Sequence, residues 1–429
     1  MKRLAKNIGI AALLITLAAL VIPVHAQGPV PPISPEAQKE KARLLAEYQK
    51  ALEHELQYGE TVISPEDGKT RILVGRSAEK IAYLWQETVK KIETAVARPA
   101  SEREPVEKMI EAISGSSPVY LERFTLPYNP SAALERYRAG KFFYTVDIAS
   151  SQVVDVSPVD VSVFPPHSRE SALSKGHYSQ IELEERARAY IQSVAGDINL
   201  SILQPAFGDK EGRIYFFRWE DPSRSLYDGN APFVQVAISS LDGEIRHYVN
   251  TLPLAMTHSQ AVLQKIGVLP RKVRAVFNEV YANGGLYWAW LSNGGSADTT
   301  SNAGYCYIAG WCSPKNFYWS WTDATTYPPQ NEPYINGKWT TNVTTESTRL
   351  YAFIPSQNAT AYARYTAKIN NGATTVTTVI DQEIYYNVWV FLLGYYPQFT
   401  QVTLDNNDDI ANYKVAWDEV MLCSLGTCP

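Results

Sequence analysis

The stretch Phe233-Val234-Gln235-Val236-Ala237-Ile238-Ser239-Ser240-Leu241-Asp242-Gly243-Glu244-Ile245-Arg246-His247-Tyr248 decides how this chain is read. Its first eight residues alternate in the manner of a half-buried strand, Asp242-Gly243 is a tight-turn pair, and Glu244 to Tyr248 returns as a second strand. Ninety positions earlier, Phe143-Tyr144-Thr145-Val146-Asp147-Ile148-Ala149-Ser150 matches it without a gap at Phe, Val, Ile and Ser. That copy turns at Ser151-Gln152 into Val153 to Val156, a second hairpin. Between the two lie an amphipathic helix (Leu183, Ala187, Tyr190, Ile191, Val194) and a strand, Ile214 to Trp219.

Towards the N-terminus the pattern becomes helical. Ser34-Pro35 is a cap and first-turn pair, followed by Leu44, Leu45, Tyr48, Leu52 and Leu56 at helical spacing until Gly59. A second helix is expected from Ser77 to Val96 and a short third from Pro105 to Ile113, ending at Gly115. The first 26 residues read as a signal peptide. Lys2, Arg3 and Lys6 precede an apolar run from Ile8 to Ile22, and Val24-His25-Ala26 supplies the small residues of a cleavage site. Cleavage moves the formal charge from −5 to −8 by removing three cations. No later segment is long and apolar enough to span a bilayer, and the acidic balance without a basic cluster speaks against nucleic acid. A secreted, extracellular or envelope location is expected.

Beyond Gly285 the composition changes. Eight of the ten tryptophans and all four cysteines lie there, none of the six histidines does, and only 17 of these 145 residues are charged. Strand-length runs recur with turns between them: Leu350 to Ile354, Ala361 to Ile369, Val376 to Gln382, Val388 to Leu393, Gln401 to Leu404 and Lys414 to Leu422. Such spacing predicts an antiparallel β-sandwich. The expected fold class is therefore multidomain. A helical N-terminal region (27–116) precedes an α+β region (117–257), short helices and a linker (258–300, with two helices within Ser259–Ala282), and an all-β sandwich (301–429). In an exported chain, Cys306, Cys312, Cys423 and Cys428 suggest two disulfides; local pairing closes two short loops, and crossed pairing would tie the module's entrance to its last strand. The spacings and the missing histidines disfavour zinc.

Two family resemblances follow from these residues. The helix with a V-x-I-x-x-x-D-G-E-I hairpin at 181–249 resembles the PepSY (YcdB-like) domains of secreted bacterial proteins, and the first hairpin is a degraded copy. That resemblance implies a small α+β unit without catalytic residues, sometimes suggested to inhibit peptidases. Leu350-Tyr351-Ala352-Phe353-Ile354-Pro355, Ala363-Arg364-Tyr365, Asp381-Gln382, Trp389, Leu393-Gly394, Phe399, Val402-Leu404 and Val415-Ala416-Trp417-Asp418 together resemble the C-terminal jelly-roll-like domain of golvesin and xanthan-lyase-type proteins. Glu419 departs from that pattern, and the Tyr385-Tyr386-Asn387 insertion and the Cys423/Cys428 pair look particular to this chain. Within the motif, Gln382, Trp389, Gly394 and Asp418 read as structural.

The candidate ligand-binding residues are tryptophans. Tyr287-Trp288-Ala289-Trp290 recurs as Tyr318-Trp319-Ser320-Trp321, and on a strand each places two rings on one face, about 7 Å apart. Exposed members of Trp288, Trp290, Trp319, Trp321 and Trp339 would stack on sugar rings; the alternative is that they fill the sandwich core. No catalytic residue is assigned. Hydrolase, P-loop and zincin patterns are missing, and among Glu332, Asp381, Asp418 and Glu419 no spacing selects a glycosidase pair. No cofactor is expected beyond a weak structural Ca²⁺ candidate at Asp405, Asn407 and Asp409, which reads better as a solvated turn. The leading expectation is a secreted, non-enzymatic protein whose sandwich binds polysaccharide or another surface ligand. The rivals are a PepSY-based peptidase inhibitor or chaperone-like module tethered by the sandwich, and a structural surface protein.

Overall fold

The computed structural model describes residues 34–63, 71–126, 129–164, 176–196, 198–226, 230–255, 275–277, 288–292, 298–301, 316–322, 335–340, 347–370, 372, 374–397, 399–406, 413–417 and 420–424. Helix α1 (Pro35–Tyr58) starts at Ser34, whose hydroxyl accepts the Ala37 amide at 3.1 Å. A short antiparallel pair, β1 (Thr61–Ile63) and β2 (Arg71–Leu73), leads into α2 (Gly75–Val96), and Tyr48 and Leu52 of α1 bury against Ile81 and Trp85 of α2. The signal-peptide reading of residues 1–26 lies outside the described residues.

Helix α3 (Ala100–Ser114) is longer than its predicted span and ends at Gly115, whose φ of +67° suits a residue without a side chain. Four antiparallel strands follow: β3 (Val119–Leu126), β4 (Asn129–Ala139), β5 (Phe142–Asp147) and β6 (Val153–Pro158). The succession then repeats as α4 (Gln180–Val194), β7 (Gln204–Lys210), β8 (Ile214–Glu220), β9 (Phe233–Ser239) and β10 (Ile245–Asn250). The eight strands form one sheet in the order β3-β4-β5-β6-β10-β9-β8-β7. The two related hairpins thus meet at its centre, where Tyr248 lies opposite Val156 and Val249 opposite Asp155. Val106 and Ile110 of α3 share one core with Leu183, Ala187 and Ile191 of α4 and with Tyr144, Val146, Val236, Ile238 and Tyr248 of the sheet. Helix α3 therefore heads the first αββββ repeat and does not belong with the N-terminal hairpin.

The sandwich is built from β11 (Ala275–Phe277), β12 (Trp288–Ser292), β13 (Asp298–Ser301), β14 (Asn316–Trp321), β15 (Ile335–Thr340), β16 (Ser347–Ile354), β17 (Tyr362–Ile369), β18 (Thr374–Asp381), β19 (Val388–Pro397), β20 (Gln401–Asp405), β21 (Lys414–Trp417) and β22 (Val420–Ser424). A four-stranded sheet, β11-β22-β16-β19, faces a five-stranded one, β12-β15-β20-β17-β18, and β13-β14-β21 forms a third. Leu350, Ala352, Val390 and Leu422 of the first meet Trp339, Ala363, Tyr365 and Leu404 of the second in one core. Two expectations change here. Residues 275–277, inside the predicted helical stretch, form a strand because Ala275, Val276 and Phe277 find open hydrogen-bonding partners on Leu422, Met421 and Val420. The expected linker also supplies β12 and β13, so the sandwich draws strands from before residue 301.

The centre of the eight-stranded sheet is covered on both faces, unlike the half-buried strands its alternation predicts, while the edge strand β7 stays largely exposed. All seven residues of β9 are buried: Val234, Val236 and Ile238 against the helices, Phe233 and Ala237 on the side of the sandwich. That second face is polar, and it is satisfied across the seam. Lys210 Nζ donates to Ala359 O at 2.9 Å and Gln382 O at 2.5 Å; Arg213 Nε meets Glu383 Oε1 at 2.5 Å. Arg218 Nη2 donates to Tyr386 O at 3.1 Å, and its guanidinium lies 3.8 Å from the Phe233 ring centre. The Tyr385-Tyr386-Asn387 insertion is thus the docking segment. Tyr386 leans on β7 so closely that a Cβ on Gly208 would fall 2.4 Å from its ring.

A second link joins the helical hairpin, the sheet and the sandwich. Arg349 of β16 pairs with Glu122 of β3, which also receives Arg136 at 3.0 Å, while Glu93 of α2 accepts the Arg123 amide at 2.9 Å. Burial, with Glu122 close by, raises the Glu93 carboxyl to about 8 against the opposing pull of Arg349.

Two outcomes are expected. Gly208→Ala forces the Tyr386 ring aside and should cost about 1–3 kcal/mol in urea denaturation, and much less when introduced into a Tyr386→Ala background. Because the Glu93 pKa is higher in the folded chain than its ordinary 4.5, its contribution is fully present below about 4.5 and is lost as pH rises to about 8. Melting temperatures at pH 5 and 8 should therefore differ less in Glu93→Gln than in the parent chain.

Candidate functional site

The five-stranded sheet turns one face into the sandwich core and leaves the other open. Along β17 the burial alternates strictly, with Ala363, Tyr365, Ala367 and Ile369 inward and Arg364, Thr366 and Lys368 outward. The ladders align the outward residues in rows. Lys338 lies opposite Thr403, Thr403 opposite Thr366 and Thr366 opposite Thr377. The next row is Thr340, Gln401, Lys368 and Thr375. Thr375 and Thr377 are exposed, and Lys338, Thr340, Arg364, Thr366 and Lys368 are half-buried. The hydroxyls of Thr366 and Thr377 are 3.2 Å apart, and Thr403 Oγ1 donates to Thr366 O at 3.2 Å, so the row is held in a fixed pattern. β-Branched threonine suits a strand and presents a hydroxyl that both donates and accepts. Arg364, Lys338 and Lys368 give this face positive charge within a chain of net charge −5; Asp405, two residues along β20 from Thr403 on the same face, is buried.

Of the five candidate tryptophans, Trp339 fills the core, the alternative to stacking on sugars. Trp339 is 1 % exposed and belongs to the core, where it has no free ring face to offer. Trp319 is half-buried against that core, opposite Ala416 in the ladder, with Lys414 Nζ 5.5 Å from its ring centre. Trp288 pairs in register with Trp339 and Trp290 with Gly337; the side chains of Trp288, Trp290 and Trp321 lie outside the described residues. The core of a sandwich needs large apolar residues on inward strand positions, and the repeated Tyr-Trp-x-Trp pattern carries no mark separating that need from ligand stacking.

Among the motif residues, Gln382 is fully buried and acts as an extra rung of sheet. Its Oε1 accepts Ala416 N at 3.0 Å, and its Nε2 donates to Ala416 O at 3.0 Å and to Tyr365 OH at 3.1 Å. Trp389 is buried with Phe353 edge-on at 5.4 Å. At Gly394 a Cβ would meet nothing within 4 Å, so no close approach reserves the position for glycine. Asp381 caps the following turn by accepting Glu383 N at 2.9 Å. Asp418, Glu332 and Glu419 lie outside the described residues, as do Asn407 and Asp409 beside Asp405 and the cysteines Cys306, Cys312 and Cys428. The side chain of Cys423 lies outside them too. Among the described residues no cluster of three metal-ligating side chains occurs, and no helix is long and apolar enough to cross a membrane.

No protein-family model matches the chain, and neither does any curated protein. Solved structures similar to it include a Paenibacillus xanthan lyase (11 % identity, 68 % of this chain and 35 % of that one, TM-score 0.26). The C-terminal domain of Bacillus megaterium YpeB is another (9 %, 55 % and 90 %, TM-score 0.24), and so is the module TmCBM61 in complex with β-1,4-galactotriose (7 %, 32 % and 84 %, TM-score 0.19). This chain spans about a third of the xanthan lyase that it matches.

Gln382→Leu removes three buried hydrogen bonds and leaves both Ala416 backbone groups without partners. We expect a loss of about 2–4 kcal/mol of stability, measured by urea denaturation.

Proposed function

We propose that this chain is a secreted, non-enzymatic binding protein whose golvesin-like sandwich holds an acidic polysaccharide on its open five-stranded face. Lys338, Thr366 and Thr377, aligned in one row through the buried Thr403, carry the reading. A flat array of hydroxyls matches the repeating hydroxyls of an extended glycan, and the surrounding cations favour carboxylated or sulfated units. We read the two αββββ repeats as PepSY-like units that serve as a platform. With helices on one face and the sandwich on the other, the edge strands β3 and β7 are what this sheet has left for a peptidase, which disfavours the inhibitor reading.

Polygalacturonate should bind the full chain, dextran should not, and binding should weaken as salt rises from about 50 to about 500 mM. Lys338→Ala with Lys368→Ala should lower the polygalacturonate affinity about five- to tenfold without changing the melting temperature. Equal binding by parent and variant would sink the proposal.

A further inference from the structure

A cleft of about 140 Å³ lies on the seam between the eight-stranded sheet and the sandwich, bounded by the inward side of the edge strand β18 whose outward side carries Thr375 and Thr377. Arg136, Thr145 and His247 line it from the sheet, and Tyr351, Tyr385 and Trp389 from the sandwich. Its rim includes the exposed Asp160 and the half-buried Thr378, so it opens to solvent. Four of the lining residues hold a buried polar atom with no protein partner: Arg136 Nε, Thr145 Oγ1, His247 Nδ1 and Tyr351 OH. Their residues are 6, 1, 3 and 1 % exposed. Buried polar atoms are paired in folded proteins as a rule; these four lie just beneath the wall of one cavity, and a guest that turns the wall side chains towards it supplies the missing bonds.

The charges in the wall are already matched. Arg136 donates to Glu122 at 3.0 Å and its guanidinium lies 4.2 Å from the Phe391 ring centre; Asp155 accepts the Ser157 hydroxyl at 2.9 Å and sits 3.0 Å from His247 Nε2. A cation would meet Arg136, and an anion would meet Asp155 and Asp381. What is left unsatisfied is dipolar: two hydroxyls, one imidazole nitrogen and one N–H donor, beside the aromatic walls of Tyr385 and Trp389. Hydroxyl groups, each donor and acceptor, complement that set. The volume accommodates about five waters at liquid density, or one ring carrying several hydroxyls.

We propose that this cleft binds one small neutral polyol, of the size of a single sugar ring, independently of the polysaccharide face. The ring is either a free monosaccharide or the end of a glycan chain entering past Asp160. Calorimetry on the full chain would use glucose, galactose, mannose and myo-inositol, with the matching trisaccharides as a second arm to separate those sources. At least one probe should bind saturably. Thr145→Val and Tyr351→Phe, which keep the side-chain shape, should each weaken it at least threefold, and Thr378→Trp at the rim should abolish it. Lys338→Ala with Lys368→Ala should leave it unchanged, which keeps this site separate from the polysaccharide face. No heat with any probe, the signature of a cleft filled by water alone, overturns the proposal. So does binding that survives all three cleft variants.

Discussion

Lys210 is the group on which the arrangement of the chain depends. Its ammonium is taken out of water between the sheet and the sandwich, and burial lowers its pKa to about 7. An unpaired charge there would be strongly destabilising, so the Ala359 and Gln382 carbonyls must sit where they do. Arg213, Arg218 and Gln235 repeat the demand along the same face. A seam built in this way gives up some of the stability that an apolar one would provide. It gains a single permitted registration, because sliding the two layers would strand several donors at once.

Much of this was legible in the chain. The matched hairpins at 143–156 and 233–248 read correctly as strands and turns, since β-branched alternation and Asp-Gly carry their own mechanism. The pairing of β6 with β10 was not legible, because nothing local distinguishes the two hairpins side by side from the two apart. Nor was the cover on the polar face: an alternating strand reads alike whether its hydrophilic side meets water or a partner layer of carbonyls and carboxylates. The docking role of the Tyr385-Tyr386-Asn387 insertion was hidden for the same reason. Trp339 shows the converse limit, as an aromatic ring suited to stacking is equally suited to a core.

The open face of the sandwich and the closed face of the eight-stranded sheet make an instructive pair. Both are polar sheet faces with cations among hydroxyls and amides. Lys210 ends buried on backbone carbonyls and Arg218 buried on backbone carbonyls and the side chains of Gln235 and Glu220, while Thr375 and Thr377 remain in contact with solvent. Residue type is shared; geometry assigns one face to assembly and leaves the other for recognition. The cleft lies where the assembled face is imperfectly closed, at the step between β5, β6 and the strands of the sandwich.

The hydrogen bonds from Lys210 to the sandwich span 149 and 172 residues of chain, and the link between Glu122 and Arg349 spans 227. During synthesis the eight strands are complete long before their cover exists. An apolar second face would then be a sticky intermediate, open to any neighbouring chain. A face carrying Lys210, Arg213, Arg218 and His247 is instead comfortable in water while it waits. Hydrophilicity that costs stability in the finished protein thus protects it during the interval before the last domain arrives.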